Sequence, residues 1–239
     1  MGYSKSKVNR AGALLSEQLR LAAEDRGNAN AVREEVVEAL EIIEWWRGEH
    51  ARPLSRVAAN LRYYAADEGR PVVAQRLKRV PTIAGKLLRE PGMKLARMGD
   101  IGGVRAIMPD REAAYRIANR LRRNWTIVRF SDYIARPKPD GYRALHLINR
   151  HRGRLVEVQL RTPLQDDWAN TVEAFSRAFA PGLKFGHGPE FVRDYFTVVA
   201  ATSAALEQGG EPDPALRTRF AELIPQVGTF IREAEDDSR

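Results

Sequence analysis

Apolar residues recur at helical spacing through the first seventy positions of the chain. A first predicted helix, which Asn30 caps and which ends near Gly48, places four apolar residues on one face: Val32, Val36, Leu40 and Ile43. A second helix is predicted to begin at Pro53, with Val57, Leu61 and Tyr64 on one face. A turn at residues 68–71 then ends this helical region.

Short extended runs and helical stretches alternate in the middle of the chain. Strands are predicted over 72–78, 102–108, 125–130, 142–149 and 155–161, the last two forming a hairpin around Gly153. Helices are predicted from Pro81 through Leu88, from Asp110 and from Pro163. From Glu190 the pattern is helical again, in two segments separated by prolines.

This order predicts an α/β (α+β) fold, a mixed sheet of about five strands flanked by N- and C-terminal helices. Residues 1–239 are expected to form a single domain. Within it, 1–70 is a helical N-terminal region, 71–180 a catalytic core and 181–239 a helical C-terminal region.

Polar chemistry is concentrated on one face of the predicted hairpin. Side chains alternate between the two faces of a strand, so Val156, Val158 and Leu160 share the apolar face of the second strand. The opposite face of the pair collects different groups: Tyr142, His146, Glu157, Gln159 and Arg161. An ordinary solvated sheet face is the competing interpretation.

A second carboxylate and a group of cations favour a functional site over that alternative. Asp100 precedes Gly102 and Gly103, which allow a ligand or backbone to approach closely. Two carboxylates together suit Mg²⁺, a hard cation that also takes phosphate oxygens. Arg76, Lys78 and Lys86 are candidate ligands of a triphosphate, although no P-loop sequence is present.

The segment 136–142 is a candidate platform for a nucleobase. Two prolines stiffen it, and an Asp-Gly turn precedes Tyr142, whose ring lies near Lys138 in sequence. A tyrosine that belongs to the core is the alternative, and the spacing does not distinguish the two.

Composition narrows the class of protein. The chain has 39 Lys+Arg against 31 Asp+Glu, a net charge of +8, which favours nucleotides or RNA as partners. Cysteine is absent, which excludes thiolate nucleophiles and zinc–cysteine sites. No run approaches the roughly 20 apolar residues of a membrane span, and the first residues do not resemble a secretory signal. A cytoplasmic protein without membrane partners is expected.

Four segments together resemble the synthetase domain of the RelA/SpoT family, whose simplest members are small alarmone synthetases. They are RLKRVPTIAGKL at 76–87, GDIGGVRAI at 99–107, DYIARPKPDGYRALHLI at 132–148 and VEVQLRTPLQDDWA at 156–169. They occur in the order and spacing of the family. The resemblance implies a nucleotidyltransferase-like fold and transfer of pyrophosphate from ATP to a ribose 3′-hydroxyl, with Mg²⁺ as cofactor.

The resemblance also implies a role for each matching residue. Asp100 and Glu157 correspond to the metal-binding and catalytic carboxylates. The residues matched to ATP binding are Arg76, Lys78, Lys86 and Arg105. Those matched to the acceptor are Lys138, Tyr142, His146, Gln159 and Arg161. None of the four histidines is followed or preceded by aspartate, so the His-Asp hydrolase of bifunctional relatives is not expected.

Two acceptors remain open, with tRNA favoured over GDP or GTP. The segment from Tyr3 to Gly12 resembles the start of toxic, tRNA-modifying relatives, and the Glu-His pair that guanosine-specific relatives show after the tryptophan is absent after Trp168. A growth-inhibiting toxin acting on the 3′-terminal adenosine of tRNA is therefore predicted; the alternative is a (p)ppGpp synthetase. An antitoxin and a second copy of the chain are further candidate partners. A catalytically inactive RNA-binding module is the alternative from another class.

Overall fold

The computed structural model describes residues 2–24, 34–179, 182–183 and 187–236, and within them one mixed sheet carries the core. Its strands are β1 Val72–Leu77, β2 Gly102–Ile107, β3 Ile127–Asp132, β4 Leu145–His151 and β5 Arg154–Arg161. Their order across the sheet is β1-β2-β5-β4-β3. Only the β2–β5 pair is parallel among these strands. The predicted mixed five-stranded sheet is confirmed.

Eight helices occur in the described parts of the chain. They are α1 Lys5–Glu24, α2 Glu34–Gly48, α3 Ala51–Tyr64, α4 Val80–Arg89, α5 Arg111–Asn124, α6 Pro163–Ala178, α7 Glu190–Glu207 and α8 Pro214–Asp236. A short 3₁₀ turn lies at Leu95–Arg97. None of the described helices is both long and apolar enough to pass through a lipid bilayer.

One face of the sheet packs against α3 and α5 and forms the main core. The alternation in β5 is as predicted, since Val156, Val158 and Leu160 are fully buried on this face. Helix α5 begins where the sequence indicated, because the carboxylate of Asp110 accepts a hydrogen bond from the backbone N–H of Ala113 at 2.7 Å. The other face of β2 and β5 is left for polar side chains.

Two smaller apolar clusters flank this core. Helices α1, α2 and α4 pack together at one end, and α6, α7 and α8 at the other. The cluster at the N-terminal end reaches the sheet through Arg47, whose Nε donates to the backbone carbonyl of Lys78 at 2.9 Å.

Helix α2 buries Ile43 as predicted, but the buried face is shifted away from Leu40. Leu40 is 37% exposed, and the buried residues are Ala39, Ile42, Ile43 and Trp46. Positions spaced four apart, as predicted, move progressively around a helix. The four buried residues instead follow the i, i+3, i+4, i+7 spacing of a single helix face. Asn30 and Val32 lie outside the described residues.

Tyr142 is not part of β4, contrary to the predicted strand over 142–149. Gly141 has a φ of +89°, and the carboxylate of Asp140 accepts from the backbone N–H of Tyr142 at 3.0 Å. This turn holds Tyr142 outside the ladder, which begins at Leu145. The start of β3 also differs, because Trp125 caps the C-terminal end of α5 and the strand begins at Ile127.

Candidate active site

A cavity of about 450 Å³ lies over the polar face of β2 and β5, between β1, the segment 138–142 and α6. Most of the predicted site residues line it: Arg76, Asp100, Arg105, Lys138, Tyr142, Glu157, Gln159 and Arg161. Lys78, Lys86 and His146 do not line it but bind residues that do. The structure therefore brings all of the predicted residues to one place.

Gly103 forms the floor of the cavity between two charged side chains. Arg76, Gly103 and Glu157 are cross-strand neighbours on β1, β2 and β5. A methyl group on Gly103 would meet only the Cγ atom of Arg76, at 4.0 Å. No packing contact therefore requires glycine here, although glycine weakens a strand, and its absent side chain leaves space above the sheet.

Asp100 is held by two lysines. Lys78 Nζ lies 2.5 Å from one carboxylate oxygen and Lys86 Nζ 3.0 Å from the other. Burial raises the pKa of Asp100, but the two ammonium groups outweigh burial and hold that pKa below its usual range. Asp100 is therefore ionised at neutral pH, and the two lysines supply its positive partners rather than standing free for phosphate.

Glu157 belongs to a closed ring of hydrogen bonds. His146 Nδ1 lies 3.0 Å from Glu157 Oε1, and Gln159 Nε2 donates to Glu157 Oε2 at 2.6 Å. The far side of the ring is completed by Tyr142 and Arg161. His146 Nε2 lies 2.6 Å from the Tyr142 hydroxyl, and Arg161 Nη2 donates to that hydroxyl and to Gln159 Oε1, both at 2.9 Å.

This ring keeps Glu157 charged in a buried place. Burial raises the pKa of Glu157 and the nearby charge of Asp100 adds to that rise, but hydrogen bonds from His146 and Gln159 lower it below the usual range. Burial raises the pKa of Tyr142, so its hydroxyl stays protonated. Every partner is satisfied when the neutral imidazole carries its proton on Nδ1 and accepts from Tyr142 at Nε2.

Asp166 on α6 binds two of the three arginines that line the cavity, a role that the sequence did not indicate. Its Oδ1 lies 3.0 Å from Arg161 Nη1 and 2.9 Å from Arg105 Nη1. Asn170, one helical turn later, binds both Arg105 and Asp166. A signal was available, since Asp166 and Asn170 share one helix face, but nothing local showed that this face meets the sheet.

Arg76 and Lys138 differ from the other cations because both are exposed and neither forms an ion pair within the described residues. Lys138 Nζ lies over the rings of Tyr133 and Tyr142, 4.9 and 4.8 Å from their centroids. The guanidinium of Arg76 has no hydrogen bond in the described parts of the chain. These two side chains are the cations most available to an incoming anion.

The two carboxylates fit a divalent cation. They line the same cavity, and the charge of Asp100 acts unfavourably on that of Glu157, a repulsion that a bound cation would relieve. No cluster of three or more His, Cys, Asp or Glu residues suited to a metal occurs in the described residues. Two carboxylates suit a cation such as Mg²⁺, which completes its shell with water and phosphate oxygens.

The polar face, the paired carboxylates and the adjoining cations agree with the comparison with known families. Residues 75–177 match the family described as a region found in RelA / SpoT proteins. This segment is the RelA/SpoT region of the chain. It contains both carboxylates and every other predicted site residue, and it confirms the family that the four sequence segments indicated.

Known relatives match up to half of the chain. The GTP pyrophosphokinase YwaC of Bacillus subtilis is 36% identical over 111 residues, which are 40% of this chain and 52% of the relative. An uncharacterized protein of Mycobacterium tuberculosis is 32% identical over 129 residues, which are 50% of this chain and 44% of the relative. The chain thus spans about half the length of these curated relatives.

Solved structures confirm the fold over about two thirds of the chain. Small alarmone synthetase 2 from Bacillus subtilis superposes with a TM-score of 0.54 and 26% identity over 65% of this chain and 90% of the other. A GTP pyrophosphokinase family protein from Streptococcus pneumoniae superposes with a TM-score of 0.59 and 19% identity, over 70% and 89% of the two chains.

Proposed function

We propose that this chain is an ATP-dependent pyrophosphotransferase that moves the β,γ-pyrophosphate of ATP to a ribose 3′-hydroxyl. The observation that carries the proposal is that ionised Asp100 and Glu157 line one cavity, with the free cation Arg76 beside them. In the reaction, the 3′-oxygen attacks the β-phosphorus and the bond from that phosphorus to the α,β-bridging oxygen breaks. AMP leaves, and Glu157 accepts the hydroxyl proton.

The donor side of the cavity is proposed to lie at β1 and β2. Arg76 would pair with the phosphates, because its guanidinium forms no ion pair within the described residues and lies beside Gly103 at the floor of the cavity. Lys78 and Lys86 would keep Asp100 ionised and add positive charge behind it. When bound between Asp100 and Glu157, Mg²⁺ would neutralise charge on the phosphates.

The acceptor side is proposed to lie at Tyr142. Its ring borders the cavity, and its hydroxyl is fixed by His146 and Arg161, which leaves the ring little freedom to turn. A nucleobase would stack on this ring after the exposed Lys138 side chain swings aside. Stacking would place the ribose toward Glu157, which shares the ring of hydrogen bonds.

The acceptor that we propose first is the 3′-terminal adenosine of tRNA, which would make the protein a growth-inhibiting toxin with an antitoxin partner. The net charge of +8 and the sequence after Trp168 support this choice. The N-terminal resemblance supports it less, because its residues have packing roles. Val8 is fully buried, and Gly12 lies against Leu95.

GDP or GTP is the second candidate acceptor, which would make the protein a (p)ppGpp synthetase. The observation that favours it is the similarity to YwaC, a protein named as a GTP pyrophosphokinase. The chemistry proposed at Asp100 and Glu157 is the same for both acceptors. The two candidates differ only in which nucleobase, adenine or guanine, stacks on Tyr142.

A labelling experiment separates the acceptors. The purified protein is incubated with γ-³²P-ATP and either GDP, GTP or deacylated tRNA, with periodate-oxidised tRNA as the control that lacks a 3′-hydroxyl. Label on intact but not on oxidised tRNA supports the first candidate, and such labelling falls with added salt if phosphate contacts hold the tRNA. Label only in a guanosine tetra- or pentaphosphate supports the second. ATP left unconsumed with every acceptor contradicts the enzymatic proposal and favours a catalytically inactive RNA-binding module.

A further inference from the structure

Glu207 is a buried carboxylate that lies outside the cavity and has no part in the chemistry above. It is the last residue of α7, and only 5% of its side chain is exposed. Its Oε2 lies 2.8 Å from Nη2 of Arg143, which is 7% exposed. A buried carboxylate and a buried guanidinium at this distance form an ion pair shielded from solvent.

The same carboxylate also binds the start of α6. Glu207 Oε1 accepts from the hydroxyl of Thr162, and Oε2 accepts from Gln165 Nε2 at 3.2 Å. Thr162 and Gln165 form the capping box of α6, each side chain accepting from the backbone N–H of the other. Glu207 therefore joins three residues from two separate segments of the chain.

Those segments carry the acceptor side of the cavity. Arg143 directly follows Tyr142, and Thr162 directly follows Arg161. The side chains of Tyr142 and Arg161 meet in the ring of hydrogen bonds at 2.9 Å. Glu207 thus links the residue after Tyr142 to the residue after Arg161. The side chains of Tyr142 and Arg161 are themselves joined by a hydrogen bond.

Helix α7 supports the same segment at a second place. A methyl group on Gly141 would lie 2.6 Å from the Cβ atom of Ala200, so the turn and α7 are in close contact. Trp168, which lines the cavity, donates from its indole N–H to the carbonyl of Phe196 at 2.8 Å. Helix α7 therefore contacts Gly141 at Ala200 and Arg143 at Glu207, and it binds Trp168 of α6 at Phe196.

From these contacts we infer that Glu207 is a positioning residue that holds Tyr142 in place for the acceptor by binding Arg143 and Thr162. The inference rests on the proposed function, because it concerns the acceptor side of that site. It gives α7 a role in acceptor binding, whereas the donor side at β1 and β2 has no contact with Glu207.

The first test is Glu207→Gln, which keeps the shape of the side chain and removes its charge. The expected result is a rise of about 10-fold to 100-fold in KM for the acceptor, with KM for ATP little changed, because only the acceptor side loses its support. Glu211→Gln is the matched control, since Glu211 is 84% exposed and pairs with Arg217. An equal rise in both KM values, or none, overturns the inference.

A second variant separates positioning from stability. Glu207→Gln alone leaves Arg143 buried without a counter-charge, so it lowers the melting temperature as well. Glu207→Gln combined with Arg143→Met removes both charges and is expected to recover the melting temperature while KM for the acceptor stays raised. Recovery of both quantities together would show that Glu207 acts only on stability, and it would overturn the inference.

Hydrogen exchange measures the same loss of support for the 136–143 segment and does not require enzymatic activity. In the double variant, amides of residues 136–143 are expected to exchange faster than in the unaltered protein, with exchange in β1 and β2 unchanged. Unaltered exchange in 136–143 overturns the inference. If the unaltered protein transfers no pyrophosphate, the proposed function fails on that result alone, and the positioning role is still decided by the exchange measurement.

Discussion

Glu157 and His146 are joined by a hydrogen bond of 3.0 Å between Oε1 and Nδ1, and this bond is one side of the ring that also contains Tyr142. The carboxylate proposed to accept the proton and the tyrosine proposed to bind the acceptor are thus linked through one imidazole. A substitution at His146 should therefore change the pKa of Glu157 while the fold stays intact.

The variant His146→Ala should shift the pH dependence of transfer. The hydrogen bond from His146 lowers the pKa of Glu157, so without it burial and the charge of Asp100 raise that pKa. Glu157 must be ionised to accept a proton, so activity should be lost at a higher pH as the solution is made more acidic. The check is a kcat/KM profile between about pH 5 and 9, with His151→Gln as control. An acid limb that stays in place contradicts the link.

The pairing of Asp100 with Lys78 should appear as a pH-dependent stability. Lys78→Met removes one partner of a pair whose side chains are 13% and 19% exposed, while Lys86 stays bound to Asp100. The loss of this one partner is expected to cost about 1–3 kcal/mol in the free energy of unfolding. The pKa of Asp100 is lowered in the folded protein, so its contribution is present above the unfolded pKa of about 3.9 and is lost as pH falls through the folded pKa.

Denaturant unfolding at pH 7 and at low pH checks this expectation. The difference between Lys78→Met and the unaltered protein should shrink as the pH approaches the range where Asp100 takes up a proton. Lys94→Met, at an exposed position, is the control. A difference of the same size at both pH values would mean that the lysine stabilises the fold through packing rather than through charge.

The floor of the cavity can be tested with a pair of neighbouring glycines. Gly103→Ala adds a methyl group that meets no protein atom closer than 4.0 Å, so the unfolding free energy should stay equal or rise by about 0.5–1 kcal/mol. Transfer should nevertheless fall, because the methyl group occupies the space between Arg76 and Glu157. Gly102→Ala, whose methyl group would make ordinary contacts at 3.6–3.7 Å on the core face, should keep its activity. Full activity in both variants would exclude a ligand at Gly103.

The close contact between Gly141 and α7 predicts unequal effects at two glycines of positive φ. Gly141→Ala and Gly153→Ala both force alanine into the left-handed region, at +89° and +75°. Only the methyl group at Gly141 meets a neighbour, Ala200, whereas Gly153 faces open space. Gly153→Ala should cost about 1 kcal/mol from backbone strain and Gly141→Ala clearly more, measured by thermal unfolding. Equal costs would contradict the packing of this turn on α7.

Sequence patterns correctly predicted those parts of the fold that depend on interactions between residues close together in the chain. The alternation around Glu157 fixed the two faces of β5, and the carboxylate of Asp110 marked the start of α5. The pairing partners of buried charges depend on segments far apart in sequence. Lys78 and Lys86 were therefore predicted as ligands of triphosphate rather than as partners of Asp100.

The same reason explains why Asp166 and Glu207 were not found from the sequence. Asp166 binds Arg105, and Glu207 binds Arg143, although each pair is separated by about 60 positions of the chain. An isolated acidic residue on a helix has no local feature that distinguishes it from a solvated one. The turn at Asp140 was recognised, but its effect on Tyr142 depends on how Gly141 packs against α7.

The most direct test of the central claim is single-turnover transfer from γ-³²P-ATP by Asp100→Asn and Glu157→Gln, with exposed Asp167→Asn as control. Each of the two site variants should lose transfer by at least about 100-fold while keeping the circular dichroism spectrum of the unaltered protein, and Asp167→Asn should retain the normal rate. A near-normal rate in either folded site variant would contradict the claim that these two carboxylates carry the reaction.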